Sequence, residues 1–380
     1  MAKVEIVRLS ELSPSDRGTW RRLQDRTPAF RNPLLGPDFA EAVAEGRPDA
    51  RVALWREAGR AVAFLAHHRR PGGLARPIGA PLCDYHALIS EPGAFAGPLA
   101  LRQAGLGALR VTGLVDPHGV FGADLGAIPA YRIELSAGVE AYFAELRARS
   151  GNRWRNYRRY SRRLAAALGP LRVVAHDTSP DAFAALLNWK RRQLIRTGLH
   201  DFIAVPWVTD LLVRLFERKE AGFGGMLISL YAGERLVAGH FGVRQDGHYH
   251  PWLGAYDPEL AAHSPGLVHQ IHAVAAAGAA GVTVYDLGPG AGPSKAMFAN
   301  AESELRAGLA VAASLGGRWA GARERMWEGP AGQFPLVGRV RNRLDQIAAL
   351  ELSLGGRLGG VARAVAAIDR RVAPPAAARG

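Results

Sequence analysis

Cysteine is almost missing from these 380 residues. The single Cys83 forms no internal disulfide and has no neighbouring cysteine for a zinc knuckle, which fits a reducing compartment and reads most simply as a small buried hydrophobe. Lysine is nearly as scarce. Lys3, Lys190, Lys219 and Lys295 are the only four, so arginine supplies almost all of the 48 basic residues, in a chain crowded with alanine and glycine. No apolar run approaches the ~20 residues of a membrane span. The longest weakly polar stretch, His272 to Val284, is too short, and the N-terminus carries Glu5, Glu11 and Asp16 without an apolar secretory core. These absences point to a cytoplasmic chain. With 48% hydrophobic and 22% charged residues, wholesale disorder and a collagen-like repeat are also excluded.

What is abundant is positive charge, and it is local. The formal balance is +14, which by itself suggests a nucleic-acid or anionic-membrane partner. Arg147 to Arg163 holds eight arginines and no acid, and Lys190, Arg191, Arg192 and Arg196 add four more; without these twelve the balance is +2. The excess thus belongs to two segments, which favours a site for small phosphates over a nucleic-acid surface.

Length and pattern predict an α/β (α+β) chain of two lobes with a C-terminal extension. The first lobe, residues 1–149, reads as a short strand, helices from Ser13 and Pro37, and a hairpin at Val52–Arg56 and Ala61–His67. An Ala/Leu helix near Phe95–Ala104 and strands at Leu109–Thr112 and Tyr131–Leu135 complete it. The second lobe, 150–317, repeats that order. A basic helix at 152–168 precedes a strand, two helices, a three-stranded meander ending near Ala255, a helix from Pro265, a strand at Val282–Leu287, a short helix and a last strand. Residues 318–380 read as a helical extension whose Pro/Ala tail, Val372–Gly380, frays.

The chemistry concentrates between Gly225 and Ala299. Ser264-Pro265-Gly266 is a strong helix start, with Pro in the first turn behind a Ser cap, and such a terminus suits a pyrophosphate. Pro251 inside the preceding strand implies an edge or a bulge that splays two strands. His248, His250 and Trp252 share one strand face. A zinc site from the two histidines lacks a third ligand, so no metal is expected. His240, His248, His250 and Asp286 are the candidate bases. Lys295 sits in the first turn of a short helix against the dipole, in a chain with four lysines, and reads as a ligand for phosphate or carboxylate. On the basic helix, Trp154, Tyr157, Ser161, Leu164 and Leu168 share a face that leaves Arg155, Arg158, Arg159, Arg162 and Arg163 largely outside it.

Several motifs carry a resemblance: His240 to Gly242, Ala255-Tyr256-Asp257-Pro258 through Ser264-Pro265-Gly266, and Tyr285-Asp286-Leu287-Gly288 through Ser294-Lys295-Ala296-Met297-Phe298. Residues 150–310 resemble the GNAT acetyltransferase domain of CelD-like, cellulose-biosynthesis-associated N-acetyltransferases, a group similar to the Fem peptidyltransferases, which pair two GNAT-like halves. The resemblance implies two GNAT-like lobes, each a mixed, mainly antiparallel sheet flanked by helices. It also implies transfer of an acyl group from acetyl-CoA or another acyl-CoA to an amine on a sugar or cell-envelope precursor. The usual glycine-rich pyrophosphate loop is replaced by Ser264-Pro265-Gly266, and Ser294 stands where relatives carry an aromatic residue. On this reading Ser264, Gly266 and Leu267 bind the donor; Lys295, Arg155, Arg158, Arg159 and Tyr256 bind an anionic small-molecule or lipid-linked acceptor; and His240, His250 and Asp286 are catalytic. Contact with the inner face of a membrane would be peripheral. The rivals are an aminoacyl-tRNA-dependent or RNA-binding Fem-like protein and a non-catalytic scaffold.

Overall fold

Proline in the first helical turn starts most of the helices, because its fixed φ suits that turn and its missing N–H has no intrahelical partner there. The computed structural model describes residues 3–94, 97–121, 125–218, 222–328 and 335–362. Its first part runs β1 (Lys3–Val7), α1 (Pro14–Arg26), α2 (Pro37–Gly46), β2 (Ala50–Glu57), β3 (Arg60–Arg69), β4 (Leu74–Pro77), β5 (Ile89–Ser90), α3 (Gly97–Gln103), β6 (Ala108–Leu114) and β7 (Gly126–Glu134). There follow α4 (Val139–Leu168), β8 (Leu171–Val174), α5 (Pro180–Thr197), α6 (Pro206–Glu217), β9 (Phe223–Ala232), β10 (Arg235–Gln245) and β11 (His248–Tyr256). The chain continues through α7 (Pro265–Ala279), β12 (Val284–Pro289), α8 (Pro293–Phe298), β13 (Ala301–Val311), α9 (Leu315–Glu328) and α10 (Pro335–Leu350).

The strands form one continuous, mostly antiparallel sheet in the order β1-β2-β3-β4-β6-β13-β7-β12-β11-β10-β9-β8, with β5 on β3. The two parallel contacts, β4 with β6 and β11 with β12, occupy equivalent places. Each half is completed by a strand from the other: β7 pairs with β12, β13 with β6, and β7 and β13 pair with each other. One core cluster lies where α1, α2, α5 and α6 meet the sheet and draws residues from both ends of the chain, from Leu9 to Leu350. The opposite face is covered separately by α3 in the first half and by α4 with α7 in the second.

The mixed, mainly antiparallel architecture agrees with the sequence reading. Two features differ from it. Helix α4 begins at Val139 rather than 152, because Tyr142, Phe143 and Leu146 bury one face ahead of a break at Ser150 (φ −140°, ψ 36°). Strands β4 and β5 are too short to carry a visible alternation. Among the described residues no helix is long and apolar enough to cross a membrane, and the tail 372–380 lies outside the described residues.

Candidate active site

Strand β11 is where the sheet opens. Its register against β10 passes from Phe241↔Leu253 to Gly242↔Pro251, so Trp252 is the extra residue of a bulge. Pro251 has no N–H to give a ladder, and a Cβ at Gly242 would overlap the His250 carbonyl oxygen and the Pro251 backbone. The interruption expected at Pro251 is therefore a bulge inside the sheet. On its other side β11 pairs with β12 only at His248↔Val284 and Tyr249↔Tyr285; beyond these the strands part. Gly242→Ala forces a methyl into that bulge, at a cost of about 1–3 kcal/mol. Thermal or urea unfolding checks this: a variant as stable as the parent would show that the bulge is not tightly packed.

A cavity of about 380 Å³ lies at this gap on the α7 side, lined by His240, Gly266, Leu267, Gln270, Lys295 and Phe298 among others. Four residues singled out from sequence, His240, Gly266, Leu267 and Lys295, thus meet in one place. The His240 Nδ1 lies 2.9 Å from the Tyr285 hydroxyl, and its ring is 4.3 Å from that of His269. Burial, reinforced by His269 and the Lys190 charge, holds the His240 pKa well below the ordinary imidazole value. It is neutral at pH 7. Lys295 donates to the Pro289 carbonyl at 2.7 Å and forms no ion pair among the described residues.

The start of α7 differs from the expectation in one respect. Ser264 adopts a left-handed conformation (φ 52°, ψ 49°) and its side chain caps nothing, because it also closes the preceding turn of 258–263. The backbone does the work instead: the Ser264 carbonyl accepts from Leu267 and Val268, leaving the Gly266 N–H without a partner among the described residues. A Cβ at Gly266 would approach the Tyr256 ring to 3.3 Å. Tyr256 packs with Leu164, Leu260 and Val268, so it walls the helix start and does not line the cavity.

On the opposite face of the sheet, Asp286 is buried at the hub of a polar cluster. It accepts from the Tyr85 hydroxyl at 2.7 Å, the Asn32 amide at 2.8 Å and the Gly288 N–H at 2.7 Å. His248 Nε2 and His250 Nδ1 stand 3.5 and 3.6 Å from its oxygens, and the other nitrogen of His250 lies 3.0 Å from Asp84 Oδ2. Burial opposes ionisation of Asp286, but the two histidines override it and hold the carboxyl far below the usual carboxylate range. Burial likewise opposes the charge on His250, and Asp286 together with Asp84 outweighs it, raising the imidazole to about 9. At neutral pH the pair is carboxylate and imidazolium. Neither is a free base, which corrects the catalytic role expected of His250 and Asp286: three hydrogen bonds and two histidines hold Asp286 as the carboxylate, and His250 already carries its proton.

The basic half of α4 docks as its spacing predicts. Tyr157 is buried, stacks on Phe298 with centroids 5.6 Å apart and meets Met297 through its hydroxyl. Arg155, Arg158 and Arg159 are exposed. Arg155 bonds Asn152, and Arg159 lies over the Tyr160 ring. None of the three lines the cavity, so the structure does not bring them together with Lys295. Asn32, Asp84 and Tyr85 are the residues sequence reasoning missed. Between 166 and 254 residues separate them from the groups they bond, and only the polar run Asp84-Tyr85-His86 beside a buried cysteine hinted at a function.

The first half has the same gap, closed by its own chain. β4 pairs with β6 only at Leu74↔Ala108 and Ala75↔Leu109; the loop carrying Asp84 then fills the space, with His86 bridging to Leu114. Gly113 is required there because any Cβ would overlap the Asp84 carbonyl. Among the described residues no group of three or more His, Cys, Asp or Glu is placed to hold a metal ion.

No curated protein matches the chain in sequence. Solved structures with a similar course include the C-terminal domain of a protein described as a lysylphosphatidylglycerol synthetase from Agrobacterium fabrum, at 14% identity and TM-score 0.47, covering 82% of this chain and 95% of that one. A tandem GNAT protein from the clavulanic acid biosynthesis pathway follows at 13% and 0.44, covering 82% and 99%. FemX does so at 12% and 0.48, covering 80% and 96%. Residues 151–296, the segment that builds the parted strands, α7 and Lys295, match the family described as an acetyltransferase (GNAT) domain.

Proposed function

We propose that the chain transfers an acyl group from acyl-CoA to an amine at the gap between β11 and β12. The observation that carries this reading is the parting of these strands beside the start of α7, with neutral His240 in the cavity so formed. The family match over 151–296 supports it. The Gly266 N–H and the helix dipole suit the donor's pyrophosphate, and Lys295 adds a cation nearby. Backbone N–H groups that the parted strands no longer exchange suit the thioester carbonyl, where negative charge develops.

In the reaction the amine nitrogen bonds to the acyl carbon, the carbon–sulfur bond breaks and CoA leaves as the thiol. The proton that the nitrogen loses after attack goes to the departing sulfur, and His240 takes the one whose loss turns the incoming ammonium into a nucleophilic amine. The tautomer in which Nδ1–H donates to the Tyr285 oxygen leaves Nε2 free to accept it. In keeping with the CelD-like resemblance, the acceptor is read as an amine on a sugar or cell-envelope precursor. The exposed arginines of α4 are read as a docking face for an anionic carrier.

Calorimetric titration with acetyl-CoA tests the donor. Binding is expected, and Gly266→Val, which sets a branched side chain against Tyr256 at the helix start, is expected to weaken it by about tenfold or more. No heat with acetyl-CoA, a longer acyl-CoA or free CoA would sink the reading.

A further inference from the structure

A second pocket, of about 250 Å³, lies on the other face of the parted strands between α5, β11 and α10, with Asp84, Lys190, Trp252 and Gln346 in its wall. It meets the His240 cavity across the strands. Lys190 Nζ donates to the Gly254 carbonyl at 3.3 Å, while a side chain at Gly254 would run into the His240 imidazole from the other direction. On the β12 side, the place a Cβ would take at Gly288 is 3.8 Å from Asp84 Oδ2 and 3.6 Å from Lys295 Nζ. Both pockets therefore reach the same gap.

The two charges of this pocket are incompletely met by the protein. Lys190 has a half-buried ammonium whose one partner is a neutral carbonyl, and it forms no ion pair among the described residues; burial lowers its pKa. Asp84 keeps 44% of its side chain exposed. One oxygen takes the His250 ring N–H, and Oδ1 has no partner among the described residues. The loop that carries it is rigid: Gly79 N–H donates to His68, Cys83 Sγ–H to the Tyr85 carbonyl and His86 N–H to the Gly113 carbonyl. The far wall is held as firmly, with Arg76 paired to Asp345 and Arg70 donating to the last carbonyls of α10. A carboxylate and an ammonium in the wall of one pocket complement a ligand carrying the reverse pair.

We propose that this pocket binds the acceptor, and that the acceptor is a primary amine carrying its own anionic group, its ammonium on Asp84 and its carboxylate or phosphate on Lys190. The assignment of this ligand as acceptor rests on the acyl-transfer reading above; the pocket itself does not. Asp84 holds the amine facing the gap, Lys190 holds the anionic group, and α10 becomes a wall of the site.

Two matched pairs of amines test it: L-leucine against leucinamide, which lacks the carboxylate, and O-phosphoethanolamine against ethanolamine, which lacks the phosphate. Each is titrated into the full chain with and without CoA, and thiol release from acetyl-CoA is followed separately. In at least one pair the member that carries the anionic group is expected to bind about tenfold or more tightly than the partner that lacks it; the pair that responds tells carboxylate from phosphate. Lys190→Met should abolish that preference with the acetyl-CoA Kd and the unfolding temperature near those of the parent, and Asp84→Asn should weaken both members of the pair. Equal or absent binding of both members in both pairs overturns the proposal, as does a preference that survives Lys190→Met. Discrimination without any CoA binding would instead remove the acyl-transfer reading and leave the pocket standing.

Discussion

His240→Ala is expected to lower kcat for acyl transfer by about 10²–10⁴-fold, the usual contribution of a positioned general base, while the acetyl-CoA Kd stays within a few-fold of the parent. Of the three groups expected to be catalytic, only His240 combines a place in the cavity with an available lone pair. Asp286 is engaged by Tyr85, Asn32 and Gly288, and His250 is held protonated between Asp84 and Asp286. The sign of the pH effect follows from the shift. Because its pKa is depressed by burial, by His269 and by Lys190, His240 stays neutral across the physiological range, and its acid limb in kcat/KM lies below pH 6.5. Lys190→Met removes one source of that depression and should move the limb upward. A pH–rate profile of the parent and both variants reads all of this. A His240→Ala enzyme with parental kcat, or an acid limb above pH 6.5, would dismiss this residue as the base.

Much of this was legible in the sequence for reasons that are local. The Pro-started helices, the bulge at Pro251 and the docked face Trp154, Tyr157, Leu164 depend on residues within one or two turns of each other. The cluster of His240, Gly266, Leu267 and Lys295 was legible too, because all four lie in one segment whose hairpin, helix and strand bring their ends together. What was hidden is long-range. The exchange of β7 and β13 between halves leaves no mark on either strand, since each alternates as it would beside any neighbour. Asp84, Tyr85 and Asn32 reach the site from a loop and a turn far away in the chain, and their arrival changes the chemistry: it converts Asp286 and His250 from candidate bases into an ion pair. The helical tail could be recognised as helix from sequence, but its docking on Arg47, Arg70 and Trp207 through the carbonyls of Ala349 and Leu350 could not.

Asp286→Asn is expected to cost about 3–5 kcal/mol of folding stability, the penalty for leaving a buried charge without its partner. The amide preserves size and can still accept from Tyr85 and Gly288 through its one oxygen, while its NH2 replaces the oxygen that accepts from Asn32, so the loss combines the charge opposite His250 and His248 with that hydrogen bond. Linkage gives the pair a distinctive pH dependence. The carboxyl of Asp286 is lowered on folding, so its contribution is present above the ordinary value of 3.8 and is lost as pH falls below it. The imidazole of His250 is raised on folding, so its contribution is complete below 6.5 and is lost as pH rises toward about 9. Stability from this pair is therefore greatest between about pH 4 and 6.5, with a decline on the alkaline side of that window. In Asp286→Asn the charge that raises His250 is gone apart from Asp84, and the decline between 6.5 and 9 should flatten. Urea unfolding at pH 5, 7 and 9 measures both effects. If the variant is as stable as the parent at pH 5, or loses stability between pH 6.5 and 9 as steeply, the two groups are not the coupled pair that their distances and burial describe.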